Sequence, residues 1–298
     1  MILFARLFEN DVGIDLGTAN ARVWARGTEL VMDEPSSVAV DARSRKPLAF
    51  GKKAEDLVGG KSGGAVLVHP VEAGCVRDEA LARAFLKHCF RKVPWSLLAP
   101  RAVLAVPGDL DQDRKVAMKE AAVKAGAREV FLIEAPMAAA IGAGLRVTEP
   151  TGCAVVDIGA ATANAAVISL AGIVCARDVR IGADVAERDP EAFEAEVVDS
   201  AARLLGMAPP EIAADLVGNG IVLTGGGALR PRTPPRSSDP PPKPARANAG
   251  SARTAATSTS SSETSSSAPS REGNSKDLLS DFRATIRRFC RGPILSRP

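Results

Sequence analysis

Two stretches of this chain place a carboxylate and a glycine turn at the end of an apolar run. The first reads Asp15-Leu16-Gly17-Thr18-Ala19-Asn20, and the second reads Asp157-Ile158-Gly159-Ala160-Ala161-Thr162. Glycine lets backbone N–H groups come close to an anion, which is what a turn that wraps a phosphate requires. A carboxylate at the strand end beside such a turn can hold magnesium, usually through its waters. Asp15 and Asp157 are therefore the candidate magnesium holders. Gly17, Thr18, Ala19, Asn20, Asp157, Gly159 and Thr162 are the candidate phosphate binders. A third turn, Gly225-Gly226-Gly227, follows the apolar run Ile221 to Thr224. Any one of these reads equally well as an ordinary hairpin. Two of them about one small domain apart, with the third in order, suggest a duplicated architecture closing on a phosphate from both sides.

Alternating strand-like and helix-like runs must carry these turns. Asp78 to Val93 spaces Leu81, Phe85, Cys89 and Val93 as one helix face, with acids at its start and bases at its end. Arg101 to Leu110 reads as a buried strand. Gln112 to Ala127 reads as a helix ending at glycine, and Arg128 to Pro136 as the next strand. After Thr151 the order is strand, turn, strand, two helices and the last glycine turn. The class is α/β, and the alternation predicts a sheet covered on both faces.

At 298 residues the chain has room for two domains. A formal net charge of +3 gives no sign of a nucleic-acid partner. Five cysteines without a CxxC pair, in a chain lacking a secretory signal, suggest reduced cytosolic thiols. His69 and His88 are the only histidines, too few for a histidine-based zinc site. No run is long and apolar enough to span a bilayer.

From Asp11 to Arg230 the chain resembles the bacterial actin-like proteins of the MreB family. The resemblance rests on Asp11 to Asn20, Glu34 to Val40, Phe131 to Leu145, Ile168 to Asp184 and Pro209 to Leu229. It implies the duplicated ATPase fold shared by actin, Hsp70 and sugar kinases. It also implies ATP and Mg²⁺ as cofactors, with the Gly225, Gly226 and Gly227 turn against adenosine. The implied setting is a filament at the cytoplasmic face of the inner membrane that organises cell-wall synthesis. The domains expected on this basis are 11–150, a reduced second domain at 151–229, a disordered linker at 230–276 and a basic amphipathic segment at 277–292.

Several positions depart from the family pattern. Ala160 and Ala161 stand where the resemblance expects two glycines of the second phosphate turn, and each alanine resists positive φ. Ala163 and Asn164 stand where it expects a threonine and a glutamate. Arg114 occupies the place of the glutamate that orients the attacking water, and an arginine does not act as a base at neutral pH. Only a short link joins Gly182 to Glu194, where the family carries the helical subdomain that closes over the nucleotide. After Leu229 the text turns to proline, serine, threonine and arginine, a composition that cannot bury enough surface to fold. The expectation is therefore an MreB-like scaffold that binds ATP weakly and does not hydrolyse it. It would assemble with itself or with a complete homologue, alongside the wall-synthesis machinery. An active filament-forming ATPase is the alternative; a small-molecule kinase lacks any visible substrate insertion.

Three apolar elements bear on the membrane. Trp95, Leu97 and Leu98 lie in a loop at the place of the family's membrane-inserting loop, flanked by Arg91, Lys92 and Arg101. They either meet lipid or fold back under the loop. Ile2 to Phe8 suits a short surface anchor or an element packed on the body. Asp277 to Gly292 puts Leu278, Leu279, Phe282, Ile286 and Phe289 on one helix face, with Arg283, Arg287, Arg288 and Arg291 around it. That segment suits a membrane surface or a partner groove, or is a solvated tail; a frameshifted gene end would read the same way.

Overall fold

The computed structural model describes residues 10–26, 30–60 and 64–229. The expected N-terminal anchor, the linker at 230–276 and the segment at 277–292 lie outside the described residues. The chain divides into two compact units, the first ending at Ala135, ahead of the boundary at 150 expected from the sequence.

The first unit opens with an antiparallel meander of β1 (Asp11–Leu16), β2 (Asn20–Ala25) and β3 (Leu30–Pro35). A small sheet of β4 (Val38–Asp41), β5 (Pro47–Phe50) and β6 (Ala65–Val68) follows, with α1 (Lys52–Gly59) against it. The ribbon β7 (Val71–Glu72) and β8 (Cys75–Val76) leads into α2 (Glu79–Lys92). Then come β9 (Arg101–Val106), α3 (Gln112–Ala125) and β10 (Glu129–Glu134). Strands β9 and β10 join the meander in parallel, giving the order β10-β9-β1-β2-β3.

Helix α2 forms where its spacing predicts. The Asp78 side chain caps it by accepting the Leu81 amide at 3.0 Å, Glu79 sits in the first turn, and Arg91 and Lys92 close the last. Asp78→Ala should lower stability by about 1 kcal/mol. A thermal midpoint equal to the parent's would show that the cap carries no weight.

Among the described residues of this unit, helices cover one face of the sheet, where the sequence predicts a cover on both. Val12, Ile14, Leu16, Ala21, Val23, Ala102, Leu104 and Val106 point to one side and are buried. There they meet Leu81, Phe85 and Leu86 of α2 and Met118, Ala121 and Ala122 of α3. The reason is handedness. The parallel strands step β1, β9, β10 in one direction, and right-handed crossovers taken in one direction leave both helices on the same face. β9 consequently alternates, with Val103 exposed between buried Ala102 and Leu104, instead of being buried throughout.

In the second unit the sheet is covered twice. Its elements are α4 (Ala135–Gly142), β11 (Cys153–Ile158), β12 (Ala163–Ser169), β13 (Gly172–Val179), α5 (Ala183–Arg188), α6 (Pro190–Met207), α7 (Pro210–Asn219) and β14 (Ile221–Thr224), then a 3₁₀ turn at Gly226–Leu229. The strand order is β13-β12-β11-β14. Phe193, Val197, Ala201 and Leu204 of α6 pack on Ala154, Val156, Ala165 and Val167. Ala139 and Ala140 of α4 pack on the other face with Val155, Ala166 and Ile168. Every residue of β12 is buried, as expected of a strand with a layer on each side. No described helix is long and apolar enough to cross a membrane.

Candidate nucleotide site

The first turn joins β1 to β2. A side chain on Gly17 would put its Cβ 2.8 Å from the Asn20 carbonyl oxygen, so glycine is required there for close approach. Thr18 Oγ1 accepts the Ala73 amide at 3.2 Å, which leaves its own hydrogen to donate. Ala19 shapes the turn, its carbonyl accepting from Ser36 at 2.9 Å. Asn20, expected to donate to phosphate through its side chain, gives its Nδ2 hydrogen to Asp33 at 3.1 Å. Asp15 and Asp33 flank Arg22, at 3.9 and 3.3 Å. Crowding by protein atoms pushes the Asp15 carboxyl above its usual range, against the pull of Arg22, although solvent reaches 36% of the side chain. A divalent cation would favour the ionised form.

One contributor escaped the sequence reading. The ribbon turn Ala73-Gly74 has positive φ at both residues, +48° and +70°, the conformation of a tight two-residue hairpin. Its Ala73 amide holds Thr18, and a Cβ on Gly74 would collide with the Pro107 ring just before α3. Cys75, the next residue, receives the Arg114 guanidinium at 3.6 Å. The ribbon thus links the first glycine turn to the start of α3. Asn-Gly or Asp-Gly would have announced this turn; alanine in the first place concealed it.

Arg114 is exposed in the first turn of α3. Its backbone amide donates to the capping Asp111 side chain at 2.8 Å, and its Nε lies 3.2 Å from Asp111 Oδ2. A cation is disfavoured at a helix N-terminus, and Asp111 and Cys75 satisfy this one locally.

The second turn joins β11 to β12. The Gly159 amide donates to the Thr162 carbonyl at 2.8 Å, and the start of α5 closes over the loop through Ala183 and Asp184 amides on the Gly159 and Ala160 carbonyls. Neither Ala160 nor Ala161 has positive φ. The strain expected from those alanines is absent, because the turn closes with right-handed or extended backbone. Ala163 faces the apolar core beside Ala165 and Val167 and is 2% exposed. Asp157 accepts the hydroxyl of buried Thr224 at 2.9 Å. The third turn packs on the same strand end: a Cβ on Gly225, at φ +89°, would collide with the Ile158 carbonyl, and one on Gly227 with the Ile158 side chain, while Gly226 faces open space. Gly225→Ala should destabilise the second unit by about 1–3 kcal/mol. Thermal unfolding checks it, and an unchanged midpoint would contradict so tight a turn.

The geometry fits backbone recognition of phosphate better than direct caging of a metal. Among the described residues, no three or more His, Cys, Asp and Glu side chains gather to hold an ion. Asp15 and Asp157 each stand singly at the end of a strand beside a glycine turn, one in each unit.

The loop after α2 does not fold back under itself. Trp95 is 76% exposed, Leu97 56% and Leu98 37%. Two of the flanking bases are already engaged in ion pairs. Lys92 Nζ meets Glu34 at 2.7 Å, and Arg101 makes a bidentate pair with Asp11 at 2.7 and 2.8 Å. Burial pushes the Glu34 carboxyl up, but Lys92 and His88 outweigh it and hold the group below its usual range.

Two α/β units, each carrying a carboxylate-and-glycine hairpin, define an actin-like protein. The fold matches MreB5 of Spiroplasma citri bound to AMPPNP at a TM-score of 0.68, with 26% identity, over 74% of this chain and 86% of that one. It also matches the MamK double helical filament at 0.63, with 17% identity over the same shares; at that identity the likeness concerns the fold alone. The chain belongs to the MreB/Mbl family, described as MreB/Mbl protein, whose sequence profile matches residues 9–193. It is 32% identical over 287 residues to the cell shape-determining protein Mbl of Bacillus subtilis, covering 75% of this chain and 86% of the relative. It is 34% identical over 295 residues to the cell shape-determining protein MreB of Escherichia coli, covering 76% and 85%. These alignments span more positions than this chain contributes residues, so the relatives carry insertions with respect to it.

Proposed function

We propose that this chain is a nucleotide-binding, non-hydrolysing member of its family that acts in cell shape or wall synthesis at the cytoplasmic face of the membrane. The relatives' names as cell shape-determining proteins support the role. The nucleotide-bound states of MreB5, with AMPPNP and with ADP, support ATP as ligand, and assembly with itself or with a complete homologue enters on family grounds. The first turn would take phosphate through the backbone after Gly17 and the Thr18 hydroxyl, with Asp15 toward Mg²⁺. Asp157, Gly159, Thr162 and the Gly225 to Gly227 turn would supply the rest. Binding is weaker than in complete relatives, because the link from Gly182 to Glu194 replaces the closing subdomain that family resemblance expects to hold ribose and adenine. A ligand so exposed gains less from burial.

One observation carries the loss of hydrolysis: exposed Arg114, tied to Asp111, stands where the resemblance places the water-orienting glutamate. Phosphoryl transfer depends on aiming the nucleophile, and a guanidinium offers only donors. Phosphate release from purified protein tests this directly. The second reading, an active filament-forming ATPase, draws on the unstrained second turn, since Ala160 and Ala161 leave its backbone path ordinary. Wall-synthesis partners enter on family grounds, and the exposed Trp95 loop supports contact with the inner membrane surface.

A further inference from the structure

The row of side chains beside the first glycine turn carries its own cation. Register sets Asp15 of β1, Arg22 of β2 and Asp33 of β3 side by side on one face of the sheet. On the other side of Asp15 the row continues with Ala105 and Ile133, which bring no charge. The guanidinium is divided unequally between its two neighbours. Its Nε donates to Asp33 Oδ2 at 3.3 Å, while Nη1 lies 3.9 Å from Asp15 Oδ2, an ion pair beyond hydrogen-bond reach. Asp33 is fixed further by accepting from Asn20 Nδ2 at 3.1 Å. Only 19% of the Arg22 side chain meets solvent, against 36% for Asp15 and 38% for Asp33. A cation so covered is weakly screened, and its field falls on the Asp15 carboxylate.

We propose that Arg22 sets how tightly the first turn takes a divalent cation, as a resident competitor for Asp15 that Asp33 draws aside. The inference rests on the proposed place of Asp15 toward Mg²⁺. It makes Arg22 a positioning residue, acting through Asp15. Two carboxylates and one guanidinium leave the row a single negative charge, so an arriving cation is attracted less than by Asp15 and Asp33 alone. Mg²⁺ sheds its water reluctantly and needs that attraction. When a metal binds, Arg22 has a place to go, because its shorter contact is already with Asp33. Removing Arg22 and removing the Asp33 charge therefore act in opposite directions. Without Arg22 the cation meets two uncompensated carboxylates. Without the Asp33 charge the guanidinium has Asp15 as its one ionic partner in the row.

Terbium(III), a hard cation that takes oxygen ligands as Mg²⁺ does, reads this without nucleotide. Trp24 stands diagonal to Asp15 across the β1 and β2 pair, about 7–8 Å away, close enough to sensitise terbium emission. The chain has two tryptophans, so Trp95→Phe in the full-length chain leaves Trp24 as the indole donor. In that background Arg22→Met should lower the terbium midpoint at least about 10-fold, and Asp33→Asn should raise it at least about threefold. Arg22→Lys keeps the charge and should hold the midpoint within about threefold of the parent's. Arg26, paired with Asp11 at 2.9 Å, is the control. It lies about 13 Å along the same strand, beyond a Debye length of about 8–10 Å, so Arg26→Met should change the midpoint less than about twofold. Asp15→Asn should abolish the emission, and Mg²⁺ should displace terbium from the parent. An Arg22→Met midpoint equal to the parent's would overturn the inference. So would equal tightening by Arg26→Met, emission that survives Asp15→Asn, or terbium that Mg²⁺ does not displace. If Arg22→Met does not fold, Asp33→Asn decides alone, and a midpoint at or below the parent's overturns the inference. Because the titration contains no nucleotide, a chain that fails to retain ATP still yields these midpoints, and the two failures are told apart.

Discussion

Phosphate release from the purified chain with Mg²⁺ and ATP should stay at background, at least about 100-fold below a complete relative, since a positioned group that handles the nucleophile's proton is worth 10²–10⁴-fold. Arg114 is permanently cationic and donates only. Its backbone amide and its guanidinium both engage Asp111, and the guanidinium also reaches Cys75. Asp113 is one residue away on the helix, rotated by about 100°, and does not inherit the position. The second altered place gives no help, because Ala163 faces the core. Arg114→Glu should therefore raise phosphate release, whereas Arg114→Lys should not. Release equal to a complete relative's and abolished by Asp15→Ala would sink the account.

Binding to anionic vesicles should fall about 10- to 100-fold when Trp95 and Leu98 both become serine, because each buried apolar side chain of this size is worth about 1.5–3 kcal/mol and the loop inserts only partly. Both side chains already stand in solvent, so their removal disturbs little of the core. With Lys92 and Arg101 held by Glu34 and Asp11, apolar insertion should outweigh surface charge in the proposed contact. Salt should weaken binding only modestly, through exposed Arg91. Trimming the first ten residues should weaken it further, as loss of a second anchor does. Cosedimentation of the trimmed double-serine protein at the parent's level would leave the Trp95 loop without a membrane role.

Much of the fold was legible because it is local. Asp78 and Gly126 announce where α2 starts and α3 ends, and the structure places them as cap residues. The first and third glycine turns were visible because close backbone approach leaves few alternatives to glycine at Gly17, Gly225 and Gly227. What escaped reading depends on relations across the chain. The placing of both described helices of the first unit on one face of its sheet follows from the direction in which β1, β9 and β10 are stacked, which no local pattern encodes. The harmlessness of Ala160 and Ala161 depends on how α5 closes the loop. The role of Ala73 was hidden because its contact, Thr18, lies far away in sequence. Exposure of Trp95 was undecidable from composition, since an indole serves equally well in a core or at a surface.

The most direct test of the central claim is the chemical identity of the nucleotide recovered from the protein. Full-length chain is loaded with ATP and Mg²⁺, separated from free nucleotide, held for several times the turnover time of a complete relative, and denatured. The account predicts that bound nucleotide is recovered as ATP, and that Asp15→Ala reduces the amount retained. Recovery of ADP with released phosphate would contradict it, and so would failure to retain any nucleotide at concentrations that saturate a complete relative many times over.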